Sequence, residues 1–272
     1  MVGIEFETEL KLIHILSGWS NPGGSTTSFI NLTNALNQVN ITATFYGPHD
    51  YHLSKCRSAK LSNTLPVKPD DVVIAHFLNL QIRLPVRKMI FSSHEQDIFE
   101  VKKLNYKIYD KIHYVSKHQK EYHKVNHPSF IIPNIVDDLV PSKNKPKKIA
   151  AVVGSIDFNK QTHVSILRAI DDGMEKVYLF GLKTDKNYYL TEVAPLLEVF
   201  EGRVEYKGFV EDKQAMYDSI SDVYQNSIRE TWGYVKAECE LTNTNYHGNS
   251  TTDEAIVVPK SEIVEMWKKE LF

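Results

Sequence analysis

Lys11-Leu12-Ile13-His14-Ile15-Leu16 is an apolar run of strand length, and Ser17-Gly18-Trp19-Ser20-Asn21-Pro22-Gly23-Gly24 follows it as a loop. From residue 25 to residue 38 apolar side chains recur at helical spacing, with Phe29, Leu32, Ala35 and Leu36 on one face. Residues 41–46 form a second apolar run, closed by Gly47-Pro48. Strand, glycine loop, helix and strand in that order open a doubly wound α/β domain. The alternation continues. Residues 70–77, 88–93 and 111–115 have strand character, residues 116–127 have helical character up to Pro128, and residues 130–134 make one more short strand.

Composition changes over residues 137–148, where Val140-Pro141-Ser142-Lys143-Asn144-Lys145-Pro146-Lys147-Lys148 is polar, basic and punctuated by proline, as a linker is. Basic side chains there suit solvent first, with acidic lipid as the other surface they can meet. A second α/β series starts beyond it. Strands are expected at 148–153, 177–180, 204–206 and 220–226, and helices at 162–171, 188–200, 213–219 and 261–272. The expected architecture is therefore α/β, with two Rossmann-like domains facing each other across a cleft: residues 1–136, a linker at 137–148, and residues 149–272.

The 272 residues are 42% hydrophobic and 24% charged, which is ordinary for a globular chain and leaves room for two such domains. A net charge of −2 gives no footing for nucleic-acid binding. No apolar stretch reaches the roughly 20 residues of a membrane span. The first residues carry Glu5, Glu7 and Glu9 and no basic segment, which is not the pattern of a signal peptide. Cys56 and Cys239 form no ligand or redox spacing, so a reducing, cytoplasmic setting is the expectation, with a peripheral place at the inner membrane face left open. There the sequons at Asn31, Asn40 and Asn249 would go unused.

Ser227-Ile228-Arg229-Glu230-Thr231-Trp232-Gly233-Tyr234-Val235-Lys236-Ala237-Glu238 follows the strand at 220–226. Two glutamates stand eight positions apart, and Gly233 opens a helix that carries the second. Eight residues of helix rise about 12 Å, which is the scale of a nucleotide-sugar from sugar hydroxyls to ribose. Amides of Thr231, Trp232 and Gly233 would lie between the carboxylates at a helix N-terminus, where an anion is favoured.

This segment resembles the donor-site motif of retaining glycosyltransferases of family 4, which have the GT-B fold. The resemblance implies that Glu230 holds donor-sugar hydroxyls and Glu238 the ribose diol. Val153-Gly154-Ser155-Ile156-Asp157-Phe158-Asn159-Lys160 resembles the family's second-domain loop, in which an arginine and a lysine meet the donor diphosphate. Lys160 matches the lysine; Ser155 stands where the arginine is usual, so one charged clamp is missing. Residues 204–210, with Gly208 and Phe209, resemble the segment flanking the nucleobase. Asn21-Pro22-Gly23-Gly24-Ser25 resembles the first-domain glycine loop. It is not GxGxxG, which disfavours a nicotinamide cofactor.

The runs ending in His76 and His94 resemble two family strands whose terminal histidines face the reacting sugar. The resemblance implies that His94 lies near the anomeric carbon and acceptor, with His76 beside it. Neither has a third metal ligand at a recognisable spacing, and a zinc reading of His118, His123 and His127 is weaker than one of solvated surface histidines. Residues 112–117 and 131–137 resemble the family's interdomain crossover, with Ile135 where a glycine is usual. The pattern fades beyond Glu238, where only Gly248 suits a phosphate-facing turn.

What the resemblance implies is a compact, metal-independent, retaining glycosyltransferase with no cofactor besides its nucleotide-diphosphate sugar. Its acceptor would be a glycan or a lipid-linked glycan, and polysaccharide biosynthesis the setting. Uridine and guanosine donors are not distinguished by the side chains. Two other readings fit the same residues: a degenerate binding or scaffold subunit, and a sugar-nucleotide epimerase of the same fold.

Overall fold

The computed structural model describes residues 11–62, 64–95, 101–249 and 255–272. The acidic start of the chain and Ser250-Thr251 of the third sequon lie outside them. The chain forms two compact units, Met1–Ile135 with Pro259–Phe272, and Val136–Val258.

The first unit is built on seven parallel strands, β1 (Ile13–Ser17), β2 (Ala43–Gly47), β3 (Ser58–Lys60), β4 (Val72–His76), β5 (Lys88–Ser93), β6 (Lys111–Tyr114) and β7 (Ser129–Ile131), in the order β3-β2-β1-β4-β5-β6-β7. Every residue of β1 and β4 is buried, as expected of parallel strands covered on both faces. Helix α1 (Gly24–Gln38) buries Phe29, Leu32, Ala35 and Leu36, the face read from the sequence. Asn37 closes its C-terminal end onto β2 by donating to Thr33 and Ala43 carbonyls and accepting from the Ala43 amide. Asp71 is buried beside β1, where it accepts from the Leu12 and Lys68 amides and pairs with His14 at 2.9 Å.

Helix α2 (Lys117–His123) is shorter than the sequence suggests. Ser116 caps it by accepting from the Gln119 amide, and Lys124 ends it in the left-handed region (φ 48°), four residues before Pro128. Strand β3 has no apolar alternation to announce it; it is recruited by the edge of β2.

The second unit holds five parallel strands, β8 (Ile149–Val153), β9 (Lys176–Phe180), β10 (Val204–Gly208), β11 (Asp222–Tyr224) and β12 (Asn245–His247), in the order β10-β9-β8-β11-β12. Its helices are α3 (Thr162–Asp171), α4 (Lys186–Tyr188), α5 (Ala194–Val199), α6 (Lys213–Asp218) and α7 (Tyr234–Thr242). The helix expected over 188–200 is interrupted by a π turn at Tyr189–Val193, and Pro195 then starts α5. Proline lacks the N–H that would continue the helical ladder, so the turn widens and the helix restarts.

Two domain boundaries differ from the sequence reading. Helix α8 (Lys260–Leu271) belongs to the first unit, not the second. Its apolar stripe, Ile263, Val264, Trp267 and Leu271, is buried, and Trp267 lies against His113 and Phe130, at 4.7 and 5.7 Å between ring centroids. Arg87 and Lys88 donate to the Leu271 and Glu270 carbonyls, placing cations at the negative end of the helix. Chain order alone cannot tell which sheet such a helix covers. Residues 137–148 are a strap on the second unit rather than a free linker. Val140 exchanges two hydrogen bonds with the Gln214 amide, Ser142 bonds Asp218, and Lys145 bonds Thr244 and the Tyr217 carbonyl.

Candidate functional site

Renumbered within each unit, both sheets begin with the order third-second-first-fourth-fifth strand. Connections leave in opposite directions from the first and fourth strands, so the loops at their carboxyl ends diverge and leave a crevice for ligands. In the first unit this switch point lies at the ends of β1 and β4, and in the second at the ends of β8 and β11.

At the second unit's switch point, Gly154 leaves β8 at φ 136° and donates to the Phe180 carbonyl. Gly181, at φ 155°, passes so close that an added Cβ would sit 1.7 Å from the Gly154 oxygen. Glycine there is a steric requirement. Asp157 then shapes the loop, accepting from the Lys160 amide at 2.9 Å and the Ser155 hydroxyl at 2.6 Å. The Ser155 side chain is thus used inside the loop.

The loop after β11 meets this one residue by residue. Ile228 donates to the Asn159 carbonyl, Asn159 to the Arg229 carbonyl, and Asn226 to Gln161. Glu230 is mostly buried, and its Oε1 accepts from Gln225 at 2.8 Å, from Ser227 at 2.7 Å, and from Lys160 in a short ion pair. Tyr246 donates to the Gln225 carbonyl oxygen at 2.9 Å, which orients the amide toward Glu230. Two residues 70 positions apart, Lys160 and Glu230, are therefore brought together by adjacent parallel strands. Gln225, Ser227 and Tyr246 were given no role in the sequence; Gln225 and Ser227 are near neighbours of Glu230 in the chain, whereas Tyr246 is brought in by the pairing of β12 with β11.

Helix α7 starts at Tyr234, with Gly233 as its N-cap and no side-chain cap. Trp232 is buried and lies edge-on to Tyr234 at 5.0 Å. Glu230 to Gly233 are not helical, so a helical rise of 12 Å between the two glutamates does not apply over the whole interval.

Glu238 differs from its expected role. It is 3% exposed, and its carboxylate accepts from Lys213 at 2.5 Å and from Tyr217 at 2.8 Å, both on α6. Lys213 also pairs with Asp137 at 2.6 Å. Burial alone would lower the pKa of Lys213, yet Glu238 and Asp137 hold it above the usual lysine range. Burial and Glu238 together push the Tyr217 hydroxyl well up. Glu238 is occupied in packing α7 on α6. Gly208 (φ 80°) and the exposed Phe209 lie at the end of β10, two strands from the switch point.

At the first unit's switch point, Gly23 is extended and an added Cβ would meet nothing nearer than 4.0 Å; Gly24 is the first residue of α1. The glycine that sterics require is Gly18, where a Cβ would sit 2.1 Å from the Phe77 oxygen. His76 and His94 are both buried, with ring centroids 5.2 Å apart, and Phe29 of α1 lies 4.9 and 4.8 Å from them. The His76 Nδ1 meets the Ser17 hydroxyl at 2.9 Å, and the Glu95 carboxylate is 3.8 Å from Nε2.

Ser92 bridges His94 Nε2 at 3.1 Å and His113 Nδ1 at 2.8 Å. Burial pushes His94 well below the ordinary histidine pKa, helped by His76 and His113, and burial pushes His113 down to about 4. His94 and His113 are neutral at pH 7 on that account. His113, Ser17 and Ser92 were given no role from the sequence; the hydrogen bonds between neighbouring strand ends bring them out.

His123 and His127 do not share a helix face, because α2 ends first. Their Nε2 atoms lie on the Glu95 and Tyr109 carbonyls. Among the described residues no group of three or more His, Cys, Asp or Glu side chains is placed to hold a metal ion. No described helix is long and apolar enough to cross a membrane.

Both sheets, each in doubly wound order, can now be set beside known structures. The chain has the GT-B fold. The crystal structure of HepE from Anabaena with UDP and glucose aligns at a TM-score of 0.67 with 13% identity, over 95% of this chain and 90% of that one. TarM aligns at 0.69 with 10% identity, over 96% and 91%. WaaG, a glycosyltransferase involved in lipopolysaccharide biosynthesis, aligns at 0.61 with 11% identity, over 96% and 90%. No family model and no curated protein sequence matches the chain.

Proposed function

We propose that the protein is a glycosyltransferase that moves a sugar from a nucleotide-diphosphate donor to a hydroxyl of a glycan or other acceptor. The observation that carries this reading is the meeting of Lys160 and Glu230 at the second unit's switch point, on loops fixed by Asp157 and Gln225. Once Glu230 turns to the sugar, Lys160 and the uncapped start of α7, which follows Glu230 in the chain, offer positive charge to a diphosphate leaving group. Glu230 is held by three donors and can turn its carboxylate to sugar hydroxyls. HepE, of the same fold, was crystallised with UDP-glucose, which favours a uridine donor as the first to test.

In this reading Lys160 meets the diphosphate and Glu230 orients the sugar. His94 receives the hydroxyl side of the reaction. Trp232, Gly233 and Gly154 shape the donor pocket, and Gly208 and Phe209 flank the base. Transfer proceeds with retention and needs no metal. Glu238 holds α7 in place and stays off the ribose while Lys213 and Tyr217 bind it.

The test is a thermal-shift screen against UDP-, GDP-, ADP- and dTDP-sugars with EDTA present, followed by assay of nucleotide release. A ligand that binds only the native state raises the melting temperature by mass action. A shift with one nucleotide class, with turnover lost in Glu230→Ala, supports the reading. No shift with any of the four overturns it. The occupied Glu238 and the serine at position 155 favour a second reading, a binding subunit; a shift without turnover in any acceptor mixture would select it.

A further inference from the structure

The histidine cluster of the first unit contains two proton relays whose directions follow from counting donors. His113 Nε2 lies 2.8 Å from the Ile132 carbonyl oxygen, which can only accept, so Nε2 carries the hydrogen. The ring is buried and neutral, so its Nδ1 is bare. Ser92 must then give its single proton to that Nδ1, leaving its oxygen to accept from His94 Nε2–H. His94 is thereby fixed as the Nε2–H tautomer with a bare Nδ1, to which no described residue is hydrogen-bonded.

The second relay runs the other way. Ser17 donates its proton to the Trp19 carbonyl and accepts from the Trp19 amide. It has no proton left for His76, so His76 Nδ1 must donate to it across 2.9 Å. In the uncharged ring the bare nitrogen is then Nε2, which is buried, lies 3.8 Å from the Glu95 carboxylate and has no hydrogen-bond partner among the described residues. A buried polar atom without a partner is an exception that asks for a function.

We propose that Ser17 and Ser92 are positioning residues that lock His76 and His94 in opposite tautomers, so that both rings present a bare nitrogen to a hydroxyl group that donates. The lock rests on the hydrogen-bond geometry of rings that carry one proton each; its use for the hydroxyl side of sugar transfer rests on the function proposed above. A protonated or mis-set imidazole would repel the donor hydrogen that an acceptor alcohol must give up. Holding the right tautomer before substrate arrives removes that reorganisation from the reaction.

The experiment is long-range proton–nitrogen correlation NMR on the full chain labelled with nitrogen-15 histidine at pH 7.5, with His76 and His94 assigned by loss of signal in His76→Gln and His94→Gln. We expect a single tautomer for each ring, Nδ1–H for His76 and Nε2–H for His94. Ser92→Ala should leave His94 exchanging between tautomers. It should also lower kcat for UDP release from UDP-glucose about fivefold, the worth of one ordinary hydrogen bond, with KM unchanged. Ser92→Thr, which keeps the hydroxyl, should restore both. If the alanine variant fails to fold, Ser17→Ala makes the same test on His76, and the wild-type spectrum needs no variant at all. A wild-type His94 protonated at Nδ1, or a His76 protonated at Nε2, overturns the proposal. So does a Ser92→Ala protein with wild-type tautomers and rates. Correct tautomers in a chain that binds no nucleotide-sugar support the lock and overturn the function instead.

Discussion

At the first unit's switch point the ends of β1, β4 and β5 carry hydroxyls and buried imidazoles: Ser17, His76, Ser92 and His94. At the second unit's, the ends of β8 and β11 lead to a lysine and a glutamate, Lys160 and Glu230, in a charged pair. The strand order is the same in both. The backbone decides where a crevice opens, and the side chains at the strand ends decide its chemistry. A buried cluster of hydroxyls and imidazoles suits hydrogen bonding to hydroxyls, whereas a lysine and an uncapped helix start on neighbouring loops suit a diphosphate.

The same contrast separates the two glutamates of one segment. Glu238 is enclosed between α6 and α7, whereas Glu230 follows the end of β11 and is held by Lys160, Gln225 and Ser227. Glu238→Ala should cost about 3–5 kcal/mol of stability, since it strands Lys213 and Tyr217. Urea unfolding of the variant measures this, and a loss under 1 kcal/mol would return Glu238 to the ligand side of the comparison.

Acid tests the imidazole side. The His113 pKa is lowered to about 4 by burial, from an ordinary 6.5. The unfolded chain therefore binds the extra proton first as pH falls. This contribution is fully present above pH 6.5 and is lost between 6.5 and 4, by about 3 kcal/mol in all; His94 shifts in the same direction. Denaturation midpoints at pH 7.5 and 5 should show the loss, and His113→Gln should flatten the slope. An equal slope in that variant would mean that another group carries it.

Glu230→Ala should reduce transfer about a hundredfold, equivalent to about 2.7 kcal/mol, while the variant stays folded and melts above Glu238→Ala. A folded variant with unchanged turnover would remove the charged crevice from the chemistry. The smallest effect is expected of Ser155→Arg. A second cation in the loop should tighten UDP-glucose binding about fivefold through a charge-assisted contact, read by titration calorimetry. Weaker binding would indicate that the Ser155–Asp157 hydrogen bond matters more than added charge.

The apolar runs at the positions of β1, β4, β5 and β8, the loop glycines between strand and helix, and the helical stripe of α1 were legible because each is a local pattern with a fixed period. So was the helix that Gly233 opens and that carries Glu238. Short edge strands such as β3 and β12 were not, since their pairing partner rather than their own composition makes them strands.

What the sequence by itself determined is the α/β alternation, its division into two series and the supply of histidines and charges at strand ends. These depend on residues near one another in the chain. Only the tertiary structure decided that α8 returns to the first unit, that residues 137–148 strap the second, that Lys160 reaches Glu230, and that Glu238 is spent on Lys213. Each of those is a contact between residues at least 25 positions apart, chosen by which surfaces and charges could be buried together.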